Sequence, residues 1–170
     1  MIDQSIINIP EEQLQLILKH GLRSNIINGI ACKPLIQFSF QIVKFDVPNL
    51  LKEQKYVDLA KLLFDGKIGI LNANNLLNFV LWVLDEVEYI NKIESINLQT
   101  TPDADLINAG INQLDMFGYL NVVDMLTDGD MTKDEEILAK PYNNVLDKMI
   151  MNHMKGKVNK NYQKIISKKK

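Results

Sequence analysis

The chain has 170 residues, is 46% hydrophobic and 24% charged, and carries a formal net charge of −2 with a single cysteine. That composition excludes an intrinsically disordered chain, which is poorer in large aliphatic residues. One cysteine and two histidines exclude a disulfide framework and a clustered structural zinc site.

Met1-Ile2-Asp3-Gln4 lacks the basic-then-apolar order of a signal peptide, so a cytosolic protein is expected. Ile9-Pro10-Glu11-Glu12 then places proline in a first helical turn and two acids at the positive end of a helix dipole. Leu14, Ile17 and Leu18 form one apolar stripe and Gly21 a stop, predicting a helix over 10–20 with His20 as its C-terminal cap. Residues 22–30, interrupted by Asn25, Asn28 and Gly29, are read as a second short helix.

Lys33-Pro34 opens an ambiguous segment. Ile36, Phe38, Phe40 and Ile42 alternate as a strand would, whereas Leu35, Phe38, Ile42 and Phe45 share one helical face. No second strand is apparent to pair with, and a lone strand leaves its backbone unsatisfied. A helix over 34–46 is therefore favoured for residues 35–45, with a hairpin or an arm joining a neighbour's sheet as the alternative. A helical core element is expected over 49–64, ended by Asp65-Gly66.

Asn72 caps the strongest predicted helix, 73–97. Its residues from Leu76 to Leu84 are apolar on nearly every face, so Trp82 and its neighbours are candidate core. The longest apolar run within it, Phe79 to Leu84, falls well short of the roughly 20 residues that cross a bilayer, so no membrane partner is expected. Thr101-Pro102-Asp103 starts another helix, carried by Leu106, Ile107, Ile111 and Leu114 and broken at Gly118. A short apolar segment over 119–126 leads to the turn Thr127-Asp128-Gly129-Asp130. Thr132 and Glu135 form a capping box for a short helix through Ala139, and Pro141 begins the last helix, which Gly156 loosens. The sum is a mainly α, single-domain bundle of about six helices over 1–154, followed by a basic tail over 155–170.

The net charge conceals a polarity. Residues 148–170 contain eight lysines and no acid, which leaves −10 for the first 147 residues. Most of that deficit lies between Asp85 and Glu136. Basic arms meet nucleic acid, acidic lipid or acidic protein surfaces. Arg23 is the only arginine, and guanidinium is the group suited to bidentate base or phosphate recognition. Lysines still permit sequence-blind nucleic-acid contact, and the tail of one subunit can also dock on the acidic flank of the next. The abundance of Lys, Asn and Ile matches an AT-rich coding bias, as in low-GC bacteria or their phages.

No catalytic constellation stands out. The stretch from Asp128 to Asp134 starts like a calcium loop, but Lys133 stands where the sixth-position glycine belongs and Ala139 where the twelfth-position glutamate belongs. Cys32 reads as a small buried hydrophobe, His153 as solvated among lysines, and no phosphate-cradling glycine motif is present. Asp85 and Glu88 share a helix face but make at most a weak, solvated cation site. No cofactor or metal is expected.

The stretch Ala109-Gly110-Ile111 through Phe117-Gly118, Leu120-Asn121, Gly129-Asp130 and Pro141-Tyr142-Asn143-Asn144-Val145, ending in Lys160-Asn161-Tyr162-Gln163-Lys164, resembles small helical structural and assembly proteins of tailed bacteriophages. These include head-to-tail ring and tail-assembly chaperone-like proteins. The resemblance covers roughly residues 76–164. It implies a non-enzymatic, oligomeric protein in the host cytoplasm during assembly and then in the virion, with other phage structural proteins as partners. Candidate contact residues are Lys155, Lys157, Lys160, Lys164, Lys168, Lys169 and Lys170 in the tail, and Asp85, Glu88, Asp128 and Asp130 in the acidic stretch. A chaperone absent from the finished particle and a nucleic-acid binder using the lysine tail are the alternatives.

Overall fold

The computed structural model describes residues 21–99 and 104–168. The helix expected over 10–20, the cap at His20 and the start at Thr101-Pro102-Asp103 lie outside them. Within these residues the protein is mainly α-helical, with one two-stranded sheet. It divides into two units: one drawn from within Met1–Leu35 and Asp46–Tyr89, the other from Ile36–Phe45 and Ile90–Lys170.

In the first unit, Asn28 and Gly29 both take positive φ, 50° and 79°. This is the two-residue turn chemistry that suits an antiparallel hairpin. β1 (Ile26–Ile27) and β2 (Ile30–Ala31) accordingly pair across it, Ile26 opposite Ala31 and Ile27 opposite Ile30. The short helix expected over 22–30 is thus a hairpin. Its turn is tied down by the Asn28 amide, which donates to the carbonyls of Ile68 (2.6 Å) and Ile70 (2.9 Å).

The element expected over 49–64 is two helices, α1 (Val47–Lys52) and α2 (Tyr56–Leu63). Gln54 adopts φ 56° between them. Its N–H donates to Leu51 and that of Lys55 to Leu50, which together close a Schellman motif. The same motif ends α2 at Asp65-Gly66, where the N–H groups of those residues reach Leu62 and Lys61. α3 (Ala73–Leu98) supplies the unit's central wall: Leu76, Phe79, Val80, Leu81 and Val83 are buried, and Phe79 packs on Phe64 and on half-buried Trp82.

Segment 35–45 resolves its ambiguity by being several things in turn. A 3-10 turn, Leu35–Gln37, is followed by one antiparallel bridge between Ser39 and Pro141, with Phe40 N–H donating to Lys140 and Tyr142 N–H to Phe38. Helix begins only at Phe40, widens into a π turn over Ile42–Asp46, and runs on into α1 instead of ending before Pro48. Pro48 lacks an N–H and crowds the carbonyl one turn back, and a π turn is one way to relieve that crowding.

The second unit continues with α4 (Ala104–Asn108), a 3-10 segment Ile111–Phe117, α5 (Leu120–Thr127), α6 (Asp134–Ala139) and α7 (Tyr142–Ser167). Gly110 (φ 88°) ends α4, so the helix stops short of the Gly118 break. A Cβ on Gly110 would fall 2.7 Å from the Gln113 side chain. The capping oxygen before α6 is that of Asp130, which accepts from Thr132 N–H (3.1 Å) and from its hydroxyl (2.6 Å); Thr132 is the donor, not the cap. α7 passes through Gly156 without interruption, so the basic segment is helical through Ser167.

Candidate functional site

Three residues from separate segments of the second unit meet around the carboxylate of a fourth. Lys44 lies on the π turn, Glu94 near the end of α3, Tyr119 just before α5, and Tyr142 at the start of α7. Glu94 Oε1 accepts from Lys44 Nζ at 2.8 Å and from the Tyr142 hydroxyl. Its Oε2 accepts from the Tyr119 hydroxyl at 3.2 Å. The Lys44 ammonium lies over both tyrosine rings, 4.7 and 4.8 Å from their centroids, where the negative ring face attracts a cation. Phe40 stacks on Tyr142 and meets Tyr119 edge-on, closing the apolar side of the cluster.

Burial governs the protonation of these groups. It pushes the Lys44 ammonium below its ordinary pKa, with the Glu94 hydrogen bond and charge opposing the shift. It raises the Tyr119 hydroxyl to about 12, aided by the Glu94 charge, and raises Tyr142 further still, aided by its hydrogen bond to Glu94. Both tyrosines therefore stay neutral donors at physiological pH. Every polar group of the cluster is turned on another member, which is the arrangement of a structural clasp. The second unit's cleft of about 350 Å³ is lined by Leu126, Ile137, Lys140, Asn144, Val145 and Lys148, none of them a clasp residue.

Cys32 is buried, its thiol pushed up to about 12 chiefly by that burial, and its Sγ lies 3.7 Å from the Leu63 carbonyl oxygen. Such a thiol is protonated at neutral pH and is no nucleophile. His153 is half-buried rather than solvated, and its Nε2 has no hydrogen-bond partner among the described residues.

The acidic candidates have structural engagements of their own. Asp85 pairs with Arg23 at 3.0 Å, while Glu88 on the same helix is exposed. Glu86, one of the acids of the same stretch, accepts from the Leu35 N–H at 2.7 Å. Asp128 takes the left-handed conformation that ends α5, and Asp130 caps the next turn and pairs with Lys133 at 2.7 Å. Asp85 and Glu88 belong to the first unit, Asp128 and Asp130 to the second. Lys155, Lys157, Lys160, Lys164 and Lys168 are exposed along or just beyond α7; Lys169 and Lys170 lie outside the described residues.

α7 itself holds the least expected surface. Its buried residues, Tyr142, Val145, Leu146 and Met149, occupy one face and stop two turns into the helix. Exposed Met151, Met154, Val158, Tyr162 and Ile165 recur at three- and four-residue spacing on the opposite side, since Met151 lies about 200° round from Met149. The row that is buried in the first half continues as Lys157, Lys160 and Lys164. The sequence signal was present, but a lysine-rich ending reads as solvated until the apolar spacing is followed past Met149.

No family model, curated protein or solved structure matches the chain. No helix among the described residues is long and apolar enough to cross a membrane.

Proposed function

We propose that the chain is a non-enzymatic structural protein of a tailed phage, working through protein–protein contacts at the head–tail junction or tail of the virion. The observation that carries this reading is the distal half of α7, a helix with a continuous exposed apolar row backed by lysines. The described residues of its unit leave that row exposed, and an amphipathic helix of this kind serves as a docking element. The turn and helix-start residues over 109–145 add support through their resemblance to phage assembly proteins. The Glu94 clasp fits the same reading, since its polar groups are engaged in holding elements together. Mass spectrometry of purified virions tests the proposal: the polypeptide is expected in the particle, and its absence would sink the virion reading in favour of an assembly chaperone. The exposed lysines of α7 favour one competing reading, nucleic-acid binding, which requires DNA retention that falls steeply with salt and is lost with residues 155–170.

A further inference from the structure

We infer that the distal half of α7 docks on the acidic, apolar surface of residues 104–131 of a second copy, giving head-to-tail self-association. The inference rests on the contact-protein reading above and names the partner. From Lys155 to Ser167 the helix extends about 20 Å, long enough to present the row from Met154 to Ile165 as one edge. Val158 and Tyr162 on that edge are 66% and 60% exposed.

Charge selects the occupant. Residues 148–170 carry eight lysines and no acid, so pairing this helix with its own twin would set lysine beside lysine and bring no counter-charge. The occupant must offer apolar area together with acids. Residues 104–131 do so, with five acids and no lysine and with Leu114, Met116, Phe117 and Leu120 exposed on and beside the 3-10 segment. Asp115 and Asp124 are exposed within the same stretch. Both halves of a complementary interface are thus present in each chain. Because the two patches differ, a single contact leaves one tail and one face unused, so the contact either closes reciprocally between two copies or propagates into a larger ring or a filament.

Sedimentation velocity on the purified full-length chain at low and high salt tests this. Association is expected at low salt and dissociation at high salt, because exposed charge pairs are screened once the Debye length shrinks to a few ångströms. A tail-reversed variant (Lys157→Glu, Lys160→Glu, Lys164→Glu) and a face-reversed variant (Asp115→Lys, Asp124→Lys) should each be monomeric. Mixed together they should associate again, since the reversed positions of the one tail then meet the reversed positions of the other face with opposite sign, while the unreversed tail meets the unreversed face; this rescue also shows that both variants are folded. A wild-type monomer at low salt, or a mixture that stays monomeric, would overturn the inference. The result is separable from the virion test: a monomer found in virions removes self-docking alone, whereas a self-associating chain missing from virions removes the virion reading alone.

Discussion

Glu94 has a larger part in the second unit than its place beside Ile93 and Ser95 suggests. One carboxylate answers a buried ammonium and two tyrosine hydroxyls. Removing one partner of a buried ion pair leaves an uncompensated charge, which costs more than the pair contributes. Glu94→Gln keeps the shape and removes the charge, and is expected to lower stability by about 3 kcal/mol. Lys44→Met should cost less, because Glu94 keeps both hydroxyl donors. Urea unfolding midpoints decide between them, and equal losses would mean that the ammonium is not the group at risk. The two tyrosines also set an alkaline limit. Their folded pKa values lie above the free value of 10.0, Tyr119's at about 12. Above pH 10 the unfolded chain releases protons that the folded chain keeps, so the stability they contribute is present below pH 10 and lost as pH climbs past it. Lys44 acts in the opposite sense: its folded value is lowered from 10.5, so its part rises with pH up to that point. In an ultraviolet titration two of the five tyrosines should ionise only as the unit unfolds; all five titrating together near pH 10 in a still-folded chain would contradict the clasp.

The hairpin and the helix ends show what local signals reveal and what they hide. α3 was legible almost to the residue, because a capping asparagine and an unbroken apolar run lead to one outcome. The Pro141 start of α7 was legible for a similar reason. β1 and β2 were not, since two-residue strands are too short to display alternation, and the turn signal Asn28-Gly29 was outweighed by the apolar residues around it. The break between α1 and α2 was hidden because a glutamine, not a glycine, takes the left-handed position. The clasp was the least legible of all: periodicity treats Lys44 and Glu94 as charges within two separate apolar runs, and only tertiary packing joins them to Tyr119 and Tyr142. Two glycine substitutions separate conformational need from mere tolerance. Gly29 has φ 79° and Gly156 is helical, yet a Cβ on either meets nothing within 4 Å. Gly29→Ala is therefore expected to cost about 1–2 kcal/mol through backbone strain alone, read as a lower denaturation midpoint. Gly156→Ala should raise helicity by far-ultraviolet circular dichroism, since alanine favours a helix interior by up to about 1 kcal/mol. The same sign of effect at both sites would show that one of these conformations is wrong.

The buried face of α7 ends at Met149 while the helix continues to Ser167, so folding and charge separate along a single element. Residues 155–167 are all exposed, and lost burial is the main source of large destabilisation. A chain truncated after Met154 is therefore expected to keep its thermal midpoint within a few degrees. Residues 155–170 hold seven lysines and no acid, so removing them takes the formal net charge from −2 to −9. The truncated chain should elute later from an anion exchanger and stay monomeric at low salt, with its cooperative unfolding intact. Loss of that transition would mean that the distal helix supports the fold, and its apolar row would then have to be read as core left uncovered. Retained self-association would mean that the acidic surface finds its partner elsewhere on the chain. Intact unfolding together with lost association is the outcome that assigns the lysines and the row from Met154 to Ile165 to contact alone.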